Sequence, residues 1–200
     1  MYTHNLDPVL IDFGIIIIRW YSLAYVLGIL LGWWLGKKII NHILKDNYFN
    51  FKLNDFDDLI SYLILSIILG GRIGYVVFYN FEYYILNPIE IFKVWEGGMS
   101  FHGALIGVIV LIIFYSKIKK IKFSQLANLV AYSSPIGIFL GRLANFINAE
   151  LWGRPTQYPW GVIFPGERAQ TCEGVTGVCA RHPSQLYEAA LEGFLLFLLL

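Results

Sequence analysis

Charge is scarce in this chain. Asp, Glu, Lys and Arg together make up 14% of its 200 residues, against 57% hydrophobic residues. With a mean hydropathy of +0.59, that balance excludes an ordinary soluble core. Basic residues are missing from the first twelve positions, which hold Asp7 and Asp12, so the basic start of a cleavable signal peptide is absent. Cysteine is nearly absent as well. Cys172 and Cys179 share one polar, Gly-containing loop, and their spacing is not that of a CxxC metal or redox motif. They form either a disulfide, if the loop faces an oxidising compartment, or two unpaired thiols. There is no HExxH, no His/Cys cluster at zinc spacing, no GxSxG elbow and no aspartate cluster suited to Mg-dependent phosphotransfer. The expected chemistry therefore needs no metal or cofactor, and no nucleic-acid partner is expected.

What the sequence does have is long apolar runs. A bilayer-crossing helix takes about 20 residues, and the runs reach that length. They predict an all-α, polytopic helical membrane protein with about five spans in this chain. The spans fall near 15–36, 59–79, 99–115, 126–146 and from 184 onward. Pro135 is expected to kink the fourth. Glycines recur four apart on helical faces at Gly28, Gly32 and Gly36, at Gly70 and Gly74, at Gly103 and Gly107, and at Gly137 and Gly141, the spacing that lets helices pack closely in lipid. An aromatic-rich interfacial stretch follows the second span and ends at the breaker pair Gly97-Gly98. Residues 1–151 thus read as a transmembrane body, 152–183 as a small extracytoplasmic head, and 184–200 as the start of a fifth span. The chain stops inside unbroken leucine, which reads as truncation.

Lysines give an orientation. Lys37, Lys38, Lys45 and Lys52 lie in the first connection, Lys117, Lys119, Lys120 and Lys122 in the third, and Lys93 alone in the second. The positive-inside rule places the first and third connections in the cytoplasm and the N-terminus, second connection and head outside. Polar residues of the spans then collect in the outer half of the membrane: Arg19, Tyr25, His102 and Glu188 on inward-running spans, and Arg72, Arg142 and Asn145 on outward-running ones. Each alone has an ordinary explanation. Tyr25 reads as a core tyrosine with a partner. Arg72, roughly 12 Å below the interface, reads equally as a snorkelling arginine, and His102 near a helix end as structural. Their convergence at one depth favours a functional cavity.

The stretch GRLANFINAELWG, from Gly141 to Gly153, is the richest in such groups. It starts inside an apolar span and ends outside it, and polar groups at membrane depth mark function. Arg142, Asn145 and Asn148 fall within roughly 120° on a helix, so they can face one cavity. Arginine matches phosphate oxygens bidentately, which suits an outer-leaflet phospholipid headgroup. A neutral histidine can take a proton. Acid–base chemistry on an anionic lipid is the reading these residues favour.

The same stretch closely resembles the signature of the bacterial prolipoprotein diacylglyceryl transferases, G-R-x-small-N-F-apolar-N-x-E-x-x-G. WYSLAY (20–25), GGRIGYVVFYNF (70–81), WEGGMSFHGALIGV (95–108) and RHPSQLYEAALEG (181–193) also resemble that family's motifs, in its order. The resemblance covers nearly the whole chain. It implies a multi-pass enzyme of the bacterial cytoplasmic (inner) membrane that moves the diacylglyceryl group of phosphatidylglycerol onto the lipobox cysteine thiol of a prolipoprotein signal peptide. A thioether forms and glycerol 1-phosphate leaves. It further implies His102 as the base for the thiol, Arg142 as phosphate clamp, and Asn145 and Glu150 around the headgroup. Gly153 would permit the turn into the head, Tyr25 would orient the lipid or His102, and Arg72 is a lesser headgroup candidate. The family has seven spans and a further functional arginine near the last, for which this chain has no counterpart. Ala144 and Ala149 stand where glycines are common. A lipid or anion transporter, or an inactive lipid-binding fragment, are the competing readings; a transporter would place its site at midplane within inverted repeats, and none is visible.

Overall fold

The computed structural model describes residues 1–14, 17–44, 51–172 and 177–200. The expected first-span start at Ile15 and the lysine at 45 fall outside them. The chain is mostly helical and divides into two units, Met1–Leu35 with Ala131–Leu200, and Gly36–Val130. Among the described residues three helices are long and apolar enough to cross a membrane, Trp20–His42, Leu53–Phe78 and Phe101–Lys119. The protein is a polytopic helical membrane protein.

In the unit Gly36–Val130, helix α2 (Leu53–Phe78) packs against α4 (Phe101–Lys119). Glycine makes that contact possible. A Cβ on Gly74 would stand 2.6 Å from Gly103 Cα, and one on Gly70 2.5 Å from Gly103 O. Backbone meets backbone, which no side chain could allow. The other end of the pair is tied by polar bonds. Tyr115 Oη donates to Asp55 O at 2.6 Å, and Lys119 pairs with the Asp55 carboxylate. Between these helices lie the short helix α3 (Phe81–Leu86) and two 3-10 turns, Pro88–Phe92 and Val94–Glu96. Gly97 and Gly98 follow at φ of 87° and 77°, values that glycine adopts freely and other residues do not. Ser100 then caps α4, its Oγ accepting from Gly103 N at 3.1 Å.

In the other unit, the first half of α1 (Trp20–Leu44) approaches α5 (Phe123–Ile147), with a Gly28 Cβ position 3.1 Å from Gly137 Cα. α1 begins at Trp20, later than expected from the apolar run. An antiparallel pair, β2 (Val9–Asp12) and β3 (Ile17–Arg19), comes first. Asp12 Oδ1 accepts from Gly14 N at 2.7 Å, and Gly14 sits at φ 81°. A turn at 12–14 beside β-branched isoleucines favours strand over helix. The outermost strand β1 (Tyr2–Thr3) runs parallel to β4 (Val162–Ile163), and β4 bridges Arg181 on its other side. Val162, Phe164 and Ala169 form a small core covered by Phe146, Ala149 and Trp152. Short helix α6 (Glu167–Gln170) closes it. The apolar end is helical throughout: α7 (Ser184–Glu188), a π-helical stretch (Ala189–Leu195) and α8 (Leu196–Leu199).

Candidate active site

The end of α5 and the loop after it make one polar knot. Glu150 sits between two non-glycine residues in the left-handed region, Ala149 at φ 55° and Leu151 at φ 56°. Such backbone costs roughly 1–2 kcal/mol per residue and persists only where surroundings enforce it. Here they do. Asn145 Nδ2 donates to Glu150 Oε1 at 2.7 Å, Asn148 Nδ2 reaches the same oxygen at 3.4 Å, and Glu150 N donates to Asn145 O at 3.1 Å. Gln185 Nε2, on a side chain with no exposed surface, donates to Glu150 O. Asn145, itself buried, therefore holds Glu150.

Arg142 lies one turn before Asn145 on α5. Its Nε pairs with the Glu188 carboxylate, 2.7 Å from Oε2. Among the described residues nothing takes its two terminal nitrogens, and about a third of the side chain is exposed. A fork held from behind and open in front is the geometry that grips a phosphate. Glu188 opens onto the π-helical stretch, a helix form often found at functional sites. There a Cβ on Gly193 would come within 2.6 Å of Phe139 Cβ.

Gly153 is required by space, because its φ is not left-handed. A Cβ there would stand 2.2 Å from Ser184 Oγ and 3.0 Å from His182 O. Its N donates to His182 O at 2.9 Å, which joins the motif to residues 181–184. Arg181 fastens the same region. Buried and stacked 4.2 Å over Trp152, it donates to Ala169 O, Thr171 O and Gly153 O. Tyr25 is exposed, and its hydroxyl lies 3.1 Å from that of Tyr21. Tyr21 in turn lies within electrostatic reach of Glu150 and Arg142. In this unit the structure thus gathers Tyr25, Arg142, Asn145, Glu150 and Gly153.

Arg72 and His102 belong to the other unit. His102 is exposed in the first turn of α4, edge-on to Phe101, and has no hydrogen-bond partner among the described residues. Arg72 is buried, and its guanidinium gives all five N–H directions to backbone carbonyls: Nε to Ile91 at 2.8 Å, Nη1 to Gly97 at 2.5 Å and Gly98 at 3.2 Å, Nη2 to Glu90 at 2.6 Å and Lys93 at 3.2 Å. No donor is left for a lipid phosphate, so in this structure Arg72 does not present a headgroup site. Several neighbours of these residues drew no individual role from the sequence: Glu188 beside Arg142, Gln185 against Glu150, Tyr21 beside Tyr25, and Arg181. All four lie in the motifs at 20–25 and 181–193, but their partners are set by the fold. The two cysteines are joined, Cys172 to Cys179.

The family model described as prolipoprotein diacylglyceryl transferase matches residues 8–200. The chain belongs to the prolipoprotein diacylglyceryl transferase family. It is 53% identical over 187 residues to a phosphatidylglycerol–prolipoprotein diacylglyceryl transferase of Cereibacter sphaeroides (strain ATCC 17025), covering 92% of this chain and 63% of that relative. A protein of the same name from Phenylobacterium zucineum is 48% identical over 200 residues, 98% of this chain and 69% of the relative. Another from Cereibacter sphaeroides is 50% identical over 180 residues, 88% of each. The chain thus spans just under two thirds of the length of the first relative.

Proposed function

We propose that this chain transfers the diacylglyceryl group of phosphatidylglycerol to the lipobox cysteine of prolipoproteins. The observation that carries this reading is the Arg142 fork, held by Glu188 and open at both terminal nitrogens. In the reaction the thiol sulfur forms a bond to the glycerol carbon bearing the phosphate. The carbon–oxygen bond to that phosphate breaks, and glycerol 1-phosphate leaves. His102 accepts the thiol proton. A thiol with a pKa near 8.5 needs only modest help. Arg142 grips the phosphate in the ground state and stabilises the charge it gains on departure. Asn145 and Glu150 form the polar wall beside the headgroup, Gly153 keeps that wall against residues 181–184, and Tyr25 with Tyr21 orients the lipid. The nucleophile belongs to the substrate.

Three observations support an orientation with the N-terminus and the head 152–183 outside the cytoplasmic membrane. Lysines crowd the first and third connections. The Cys172–Cys179 disulfide fits an oxidising compartment. The pairing of Tyr2–Thr3 with Val162–Ile163 requires both segments on one side, so the chain between them crosses an even number of times. The three apolar helices among the described residues are an odd number, and α5 supplies the fourth crossing. Its polar groups Arg142 and Asn145 are then those of the site.

The deciding test incubates the protein in detergent with phosphatidylglycerol and a lipobox peptide. Thioether product with equimolar glycerol phosphate is the expected result. Lipid binding without product would favour the non-catalytic reading, and flux across sealed vesicles without product a transporter.

A further inference from the structure

Between α2 and α4, residues 87–98 form only short 3-10 turns and two glycines, and carbonyls that no regular ladder satisfies need partners from elsewhere in the protein. Here one side chain supplies five such bonds. Arg72 rises from the buried face of α2 and takes the carbonyls of Glu90, Ile91, Lys93, Gly97 and Gly98, with its guanidinium 5.1 Å from the centre of the Tyr84 ring. Ser100 N donates to Gly71 O at 2.9 Å, so the same turn of α2 also fixes the residue that caps α4. His102 stands two residues on. Gly98 leaves the guanidinium its room: a Cβ there would meet Arg72 Nη1 at 3.0 Å and Tyr75 at 2.6 Å.

We propose that Arg72 is a positioning residue: it pins the 90–98 loop with five carbonyl bonds and so fixes the first turn of α4 that presents His102. This rests on the reading of His102 as the base. It differs from a headgroup contact in a measurable way, because a phosphate ligand sets substrate affinity whereas a clamp sets how often His102 is in place. Lysine cannot substitute, since one ammonium has three donors and no fork.

The test compares the parent chain with Arg72→Lys and Gly98→Ala, which attack the clamp from its two sides. Hydrogen exchange is followed by mass spectrometry, and kcat and KM are measured with phosphatidylglycerol and a lipobox peptide. Exchange in residues 88–103 is expected to rise on the order of tenfold or more in both variants, while protection in the middle of α2 and α4 is kept. kcat should fall on the order of tenfold with KM for phosphatidylglycerol little changed. Unchanged exchange in both variants overturns the proposal, as does a raised KM with kcat intact or a lysine variant with full kcat. Faster exchange with no transferase activity in the parent chain leaves the clamp standing and sinks the reading of the reaction instead.

Discussion

Arginine is used here in two ways, and the free donors tell them apart. Arg72 and Arg181 spend their guanidinium groups on backbone carbonyls. Arg142 spends only Nε, on Glu188. Arg142→Lys should therefore lose the forked phosphate contact, worth about 1.5–3 kcal/mol for a charged hydrogen bond, and lower kcat/KM for phosphatidylglycerol roughly 10- to 100-fold. A lysine variant with full kcat/KM would remove Arg142 from the phosphate. Glu188→Gln keeps the shape but loses the charge behind the fork. A smaller fall, about tenfold or less, is expected in the same assay. Residue types at motif spacing were enough to name Arg142, Asn145 and Glu150 from the sequence. The bond from Asn145 to Glu150 was not legible, because it depends on two left-handed residues, Ala149 and Leu151, whose side chains do not advertise that conformation. Nor was Arg72's clamp, since its partners are carbonyls, which every residue has.

At the scale of elements, glycine spacing is the clearest signal and also the least specific. Gly70, Gly74, Gly103 and Gly107 share the four-residue period of Gly137 and Gly141. The first set meets neighbouring backbone, whereas a Cβ on Gly141 would find nothing within 4 Å. Periodicity reports which face a residue occupies, and only the partner helix decides whether that face is crowded. Gly74→Ala should push α2 from α4 and cost about 1–3 kcal/mol, seen as a lower midpoint of thermal unfolding in detergent. Gly141→Ala should be neutral or gain up to about 1 kcal/mol from helix propensity. Equal losses in both would mean that spacing alone sets the packing. The strand start before α1 was hidden for another reason. A run of isoleucine suits a membrane helix and a strand equally, and the turn at Asp12–Gly14 settles it.

For the whole molecule, the proposed orientation makes a prediction about access. Spheroplasts treated with an impermeant reductant and then an impermeant maleimide should label Cys172 without lysis. Labelling only after lysis would put the head inside, against both the lysine distribution and the disulfide. The membrane class of the chain was legible from hydropathy alone. The apolar run near 126–146 was legible too, and α5 (Phe123–Ile147) occupies it, although its polar side chains leave it outside the three described helices that are long and apolar enough to cross a membrane.

The pairing of β1 with β4 sets a timetable. Tyr2 and Val162 lie about 160 residues apart, and a ribosome adding about 5–20 residues per second takes on the order of ten to thirty seconds to cover that distance. Throughout that interval β1 has no partner strand, and the ring of His4 lacks its contacts with Phe146 and Phe164. Residues 2–4 wait for a partner that is made about 160 residues later.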